Sequence, residues 1–192
     1  MSLTINHQTN DISASSGSVT IGGSAVGGGG GPYELVSHTT TSSTASQVLF
    51  ENLNDDYITY QLVMNWAQSS QVSSGPRFRI YDGSTLLNGY GIHSNDTANQ
   101  ANSTGQTSIF MVRELSSIYF QAVMEIWGIG LTNKPLHYTG TSFTSTASNQ
   151  TTRFAGWRAG TSGVTPDKIE IQASWSNIPA GANLTLYGRK SS

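Results

Sequence analysis

The fold is indicated by the stretch YITYQLVMNW, residues 57–66. Apolar side chains recur there at every second position, and the positions between them are polar except at Val63. This period of two is typical of a β-strand with one buried face. The residues predicted to face inward are Ile58, Tyr60, Leu62, Met64 and Trp66.

The same alternation recurs along the chain. It is clear in Arg77–Tyr81, Lys168–Ser176 and Asn183–Tyr187, and turn signals such as Asp82-Gly83 separate the segments. In these strands Glu170 is predicted to face outward, and the residues predicted to face inward are Phe78, Ile80, Ile169, Ile171, Ala173, Trp175, Leu184 and Leu186. Weaker strands are predicted at Tyr33–His38, Gln47–Glu51, Ser108–Arg113, Leu136–Phe143 and Arg153–Arg158. Many short strands with one buried face predict an all-β protein, an antiparallel sandwich or barrel.

The segment Leu115–Ile126 fits two periods. Its apolar positions match helical spacing, but its β-branched and aromatic content and the following Gly128 and Gly130 favour a strand. A strand here has two partly apolar faces, because Val123 and Trp127 lie opposite the main apolar set. Such a strand is either central to a sandwich or covered by a neighbouring subunit.

Residues 1–31 differ from the rest of the chain. They contain no aromatic residue and end in the glycine run Gly27, Gly28, Gly29, Gly30 and Gly31, which has no local preference for a fixed conformation. We expect either a disordered tail with a linker, or an arm that adds strands to a partner. The sequence therefore divides into an N-terminal arm with a hinge, residues 1–31, and a β-sandwich domain, residues 32–192. The aliphatic residues predicted to make the arm's contacts are Leu3, Ile5, Ile12, Val19 and Ile21.

Charge and composition argue against several classes of function. The chain has nine Lys and Arg, eleven Asp and Glu, and no cysteine. It has no cluster of basic residues of the kind that binds nucleic acid or anionic membranes, and no thiol for catalysis or metal binding. No apolar run approaches the roughly 18 residues of a membrane span. We expect no nucleic-acid partner and no membrane insertion.

Catalytic motifs are also missing from the sequence. No HExxH, GxSxG or phosphate-binding loop is present. Two weaker alternatives remain: a calcium site at Asp55-Asp56, and a glycan-cleaving carboxylate pair formed by Glu114 and Glu125. We predict a non-enzymatic protein without cofactor or metal.

Aromatic residues outside the predicted core are the remaining candidates for a binding site. They stand on the less apolar side of their strands or in glycine-rich segments. Such rings either anchor subunit interfaces or stack on the apolar faces of sugars. The candidates for these two roles are Tyr57, Tyr81, Trp127, Trp157 and Tyr187.

The two ends of the chain resemble a known group. The opening SLTINHQTNDISASSGSVTIGG and the ending KIEIQASWSNIPAGANLTLYGRK are similar to small virion proteins of tailed bacteriophages, including phages of aquatic bacteria. In that group a glycine-rich joint connects the opening segment to a jelly-roll sandwich whose last strand follows the pattern aGt-x-x-LYG. The residues that match this pattern are Ala180, Gly181, Leu186, Tyr187 and Gly188.

The resemblance implies a jelly-roll body in a homotrimer whose N-terminal arms engage a major capsid protein or another virion protein. The protein is then made in the host cytoplasm and carried on the outer surface of the virion. The chain has no long repetitive shaft of the kind found in extended fibres, which favours a capsid decoration or cement protein. The alternative is a tail-fibre head that recognises glycan on the host surface.

Overall fold

The computed structural model describes most of the chain. The described residues are 3–6, 11–14, 19–21, 24–26, 33–67, 76–95, 100–106, 108–110, 119–145, 150–173 and 177–190. Within these ranges the regular structure consists of antiparallel β-strands without a helix. The chain divides into two compact units, Met1–Pro32 and Tyr33–Ser192.

The first unit contains two short antiparallel pairs of strands. Strand β1 (Leu3–Asn6) pairs with β2 (Asp11–Ala14), and β3 (Val19–Ile21) pairs with β4 (Ser24–Val26). All five aliphatic residues predicted for the arm lie on these strands, and Ile5 stands opposite Ile12. The described part of this unit therefore folds back on itself in two pairs rather than running as one extended segment. The predicted hinge, Gly27–Gly31, lies outside the described residues.

The second unit contains two sheets. The larger has eight strands in the order β11-β10-β15-β14-β13-β7-β17-β5. In chain order their bounds are β5 (Glu34–Thr40), β7 (Thr59–Ala67), β10 (Tyr90–Asn95), β11 (Gln100–Gln106), β13 (Tyr119–Trp127), β14 (Leu136–Ser145), β15 (Gln150–Arg158) and β17 (Asn183–Arg189).

The smaller sheet has five strands, with the order β12-β8-β16-β6 and β9 paired to β8. Their bounds are β6 (Gln47–Phe50), β8 (Pro76–Asp82), β9 (Thr85–Leu86), β12 (Ile109–Phe110) and β16 (Lys168–Ala173). The Asp82-Gly83 signal is confirmed as a tight turn, because Asp82 pairs with Thr85 and Gly83 has a φ of 56°.

Pairing between strands is nested across both sheets. The strand β5 pairs with β17, β6 with β16, β7 with β13 and β8 with β12. Along the chain each inner pair lies between the members of the pair outside it. The strands β14, β15, β10 and β11 extend the larger sheet beyond β13.

One apolar core lies between the two sheets. The rings of Phe78 on β8 and Tyr138 on β14 approach across it, with 6.1 Å between their centroids. The inward phases predicted for the strongest strands are confirmed for the side chains that the structure describes, with one exception, and Ala173 and Trp175 are not among those side chains. Ile58 precedes β7 and is 46% exposed, while its backbone nitrogen donates to the Arg189 carbonyl. The inward residues confirmed as buried include Tyr60, Leu62, Met64, Trp66, Phe78, Ile80, Ile169, Ile171, Leu184 and Leu186.

The described part of the ambiguous segment is a strand. From Tyr119 to Trp127 it pairs on one side with β7 and on the other with β14, so β13 lies in the middle of the larger sheet. Residues 115–118 lie outside the described residues. The strand reading is confirmed for Tyr119–Ile126, and the helical reading is wrong there.

Candidate interaction face

Exposed apolar side chains are concentrated on the outer face of the eight-stranded sheet. Eight large hydrophobic residues of the described chain are exposed, and five of them stand on this face. Apolar area gathered on one face rather than scattered marks a surface available for contact. The five are Leu35, Tyr119, Val123, Phe143 and Trp157.

An apolar cluster occupies the middle of this face. It is formed by Val63, Tyr119, Val123 and Phe143, and we refer to it as the Val123 cluster. Val123 stands directly opposite Val63 on β7, and Phe143 lies on β14, the neighbouring strand on the other side. Val123 itself is 44% exposed.

The Val123 cluster has two neutral, hydrogen-bonded neighbours, Gln121 and Asn65, besides the carboxylate of Glu125. Gln121 stands opposite Phe143 and donates its side-chain amide to the Tyr119 hydroxyl at 2.8 Å. On the far side, Asn183 approaches Asn65 at 3.4 Å. This region therefore combines uncovered apolar area with neutral polar side chains.

Further along the strands, three ring side chains form a row across the sheet. Trp127 on β13 stands opposite His137 on β14, and His137 stands opposite Trp157 on β15. We refer to these three residues as the aromatic row. Neighbouring strands are about 4.8 Å apart, so Trp127 and Trp157 are roughly 9.6 Å apart at the backbone.

Trp157 lies against the backbone of the next strand. It stands opposite Gly91 on β10, and a Cβ atom added to that glycine would be 3.1 Å from the indole Nε1. The ring nevertheless remains 50% exposed. Because Gly91 has no side chain, the indole can pack against the backbone of β10 while half of it remains exposed.

The five aromatic residues predicted from the sequence are divided by the structure. Trp127, Trp157 and Tyr187 share the outer face of the larger sheet. Tyr57 instead packs edge-on against Tyr60, with 5.4 Å between ring centroids. It forms part of the subunit's own packing rather than a free contact surface.

Tyr81 is likewise used within the subunit, on the outer face of the smaller sheet. Its hydroxyl donates to the carboxylate of Glu170, and burial together with this bond raises the pKa of Tyr81. Glu170 points to the outer side of its strand, as predicted, but it is only 2% exposed. The Arg79 guanidinium lies 3.9 Å from its carboxylate.

Glu125 on β13 forms a hydrogen bond with the first residue of the second unit. Tyr33, the first residue of that unit, donates its hydroxyl to the Glu125 carboxylate at 2.7 Å. This bond raises the pKa of Tyr33, and burial and the carboxylate charge act in the same direction. The segment that leads into β5 is thereby tied to β13 across the outer face.

The other acidic candidates are not brought together in the described chain. Glu114 lies outside the described residues. The Asn54 side-chain amide donates to the Asp56 carboxylate at 2.7 Å, as expected for a turn. Within the described ranges, no group of three or more histidine or acidic side chains is arranged to hold a metal ion. No helix in this part of the chain is long and apolar enough to cross a membrane.

Several residues of this face were not selected from the sequence. Leu35, Phe143 and His137 stand on strands whose outward phase is otherwise polar, so their period alone does not distinguish them. The Tyr33–Glu125 bond joins residues far apart in the chain, and it leaves no local signal. The sequence features that pointed to this surface are the apolar outward phase of β13, with Val123 and Trp127, and the aromatic candidates Trp157 and Tyr187.

Neither protein-family models nor curated proteins match this chain.

Proposed function

We propose that this protein is a non-enzymatic structural protein of a bacteriophage virion, a homotrimer that decorates the capsid and joins adjacent capsomers. In this proposal the body is a jelly roll and the first unit attaches to the virion. The similarity of both chain ends to small phage virion proteins supports the assignment.

The strand order supports a jelly-roll body. A jelly roll contains eight strands in two sheets, and viral capsid proteins and lectins use it. Here eight strands form four nested antiparallel pairs, giving the orders β5-β17-β7-β13 and β6-β16-β8-β12. Of the other strands in the second unit, β14, β15, β10 and β11 extend the larger sheet at one edge, and β9 pairs with β8.

The Val123 cluster is the observation that best supports a homo-oligomer. Its apolar side chains lie on a wide sheet and have no covering element in the described chain. A second copy of the chain would remove this apolar area from water, at about 25 cal/mol for each Å² buried. Subunit association is therefore the use that this surface favours.

The first unit supplies the virion contact in this proposal. Its short strands carry Leu3, Ile5, Ile12, Val19 and Ile21, and short strands of this kind are able to extend a partner's sheet through backbone hydrogen bonds. Gly27–Gly31 would then act as a flexible tether. In a trimer, three tethered arms would bind multivalently, because each contact raises the effective concentration of the next.

Two measurements on the full chain test this function. Sedimentation analysis is expected to give a trimer, and antibodies to the body are expected to label the phage head at many positions in electron micrographs. Replacing Ile5 and Ile12 together by Asp is expected to reduce particle occupancy while the body keeps its melting temperature. Virions without any label would overturn the proposal.

A receptor-binding head is the second candidate function. The aromatic row, in which His137 and Trp157 are exposed, favours it, since indole rings beside polar groups bind the apolar faces of sugars. In this case antibody label would be confined to the tail tip.

A further inference from the structure

We propose that the aromatic row of Trp127, His137 and Trp157 binds an extended, neutral, β-1,4-linked polysaccharide. This assignment rests on the second candidate function and specifies its site and its ligand class. Three features of the row support it: the spacing of the rings, the fixed position of Trp157, and the local charge.

Ring spacing favours an extended chain. The two indoles stand two strands apart in one register, roughly 9.6 Å at the backbone, with the imidazole of His137 between them. In an extended β-1,4-linked chain, alternate pyranose rings present the same face at a comparable repeat. Two such rings would stack on the two indoles while the intervening sugar lies over His137, whose ring nitrogens are suited to a hydroxyl group.

Trp157 is positioned before any ligand arrives. Its indole rests against the Gly91 backbone, where a Cβ atom would be only 3.1 Å from Nε1, and half of the side chain is still exposed. A ring already held against the sheet loses little freedom when a sugar stacks on it, and such preorganisation strengthens binding.

Charges near the row are largely engaged by other groups. Arg158, which follows Trp157, donates from Nε to the Asn88 carbonyl at 2.8 Å and from Nη1 to the Ala159 carbonyl at 3.2 Å. Glu125, two residues before Trp127, accepts the Tyr33 hydroxyl. The row itself consists of ring side chains, and these two charged neighbours already bond within the subunit, which favours an uncharged sugar over a charged one.

Calorimetric titration of the full chain tests the proposal, with cellohexaose as the probe. Cellohexaose is expected to bind, whereas maltohexaose, whose α-1,4 linkages curve the chain, is expected to bind more weakly. Trp157→Ala should weaken cellohexaose binding about tenfold, which is the loss of one stacking contact. Trp157→Phe should retain part of the affinity, because an aromatic face remains.

Two further variants separate the row from the rest of the face. Tyr187→Ala, which removes an aromatic residue of the same face outside the row, should leave binding unchanged. Gly91→Val should weaken binding with Trp157 still present, because the added side chain displaces the indole. Thermal melting of each variant shows whether the body is folded.

The outcomes distinguish the site from the function. Binding of cellohexaose that survives Trp157→Ala in a folded protein would overturn the site while leaving a glycan-binding function intact. No binding of either oligosaccharide would overturn the ligand class. If a glycan array with neutral and acidic chains also showed no binding, the receptor-binding function would fail with it.

Discussion

The outer faces of the two sheets differ in how far their charged and apolar side chains are covered by the rest of the subunit. On the smaller sheet, a carboxylate with 2% exposure, Glu170, is held by the Tyr81 hydroxyl and lies near Arg79. On the larger sheet, Glu125 accepts a hydrogen bond from Tyr33, and the nearby Val123 is 44% exposed.

This difference indicates which face is complete within one subunit. A buried carboxylate is tolerated only where hydrogen bonds and opposite charge compensate for its lost hydration, and the smaller sheet supplies both. The larger sheet leaves apolar side chains without cover in the described chain. The first face is therefore built for the stability of the subunit, and the second is suited to contact with something else.

The two central carboxylates give the largest expected contrast. Glu170→Ala should lower the free energy of unfolding by about 3 kcal/mol, because it removes the buried carboxylate that the Tyr81 hydroxyl and the Arg79 guanidinium contact. Glu125→Ala, on the outer face of the other sheet, should cost less than about 1 kcal/mol, because the Glu125 side chain is only partly buried. Urea unfolding of both variants measures the difference.

Equal losses in the two variants would contradict this contrast. It would mean that the outer face of the larger sheet contributes to subunit stability as much as the smaller sheet does. Glu170→Gln is the matched control, since it keeps the side-chain volume and one acceptor for Tyr81 while removing the charge.

A second contrast tests association rather than stability. Val123→Asp should weaken self-association at least tenfold, because it would place a charge in the apolar contact of the proposed interface. Leu49→Asp is the control on the other sheet, where Leu49 is 38% exposed. It should leave the sedimentation profile unchanged, although its added carboxylate stands opposite Glu170 and should lower the melting temperature. Val123→Asp should melt close to the unmodified protein.

If both variants stayed associated, the Val123 cluster would not be the interface. If Leu49→Asp alone dissociated the protein, the interface would lie on the smaller sheet. Either result would reverse the roles assigned to the two faces.

The inward side of the sandwich could be predicted from the sequence. Period-two alternation identifies residues such as Leu62, Phe78 and Ile171 because each buried strand must place one phase in the core. The strands β10 and β11 could not be predicted in this way. Their sequences, YGIHSN and QANSTGQ, have too few apolar residues to show a phase, so they take their place in the sheet from pairing with each other and with β15.

The outward side was predictable only in part. Trp127 and Trp157 were identifiable as aromatic residues outside the core, but the register that places His137 between them is a property of the assembled sheet. Glu170 was expected on an outward face, and it is there. Its burial depends on Tyr81 and Arg79 on the neighbouring strand, and no local pattern encodes that contact.

The smallest expected effect concerns the bond between Tyr33 and Glu125. Donation to a carboxylate raises the pKa of Tyr33 above its ordinary value of 10.0, chiefly through the hydrogen bond itself, with burial and the carboxylate charge adding to it and Arg189 opposing it. The stability from this bond is therefore fully present below the ordinary tyrosine pKa. It is lost as the pH rises through the raised value, because the phenolate has no proton to donate.

Alkaline absorbance titration of the unmodified protein and of Tyr33→Phe isolates this group as a difference curve. Its midpoint should lie above 10.0, the ordinary tyrosine value, and should move down in Glu125→Gln, where the amide accepts a weaker bond and carries no charge. A midpoint that Glu125→Gln leaves unmoved would show that the two side chains are not bonded in solution. Tyr33, the residue before β5, would then not be held on the outer face of the larger sheet, which also carries the aromatic row and the Val123 cluster.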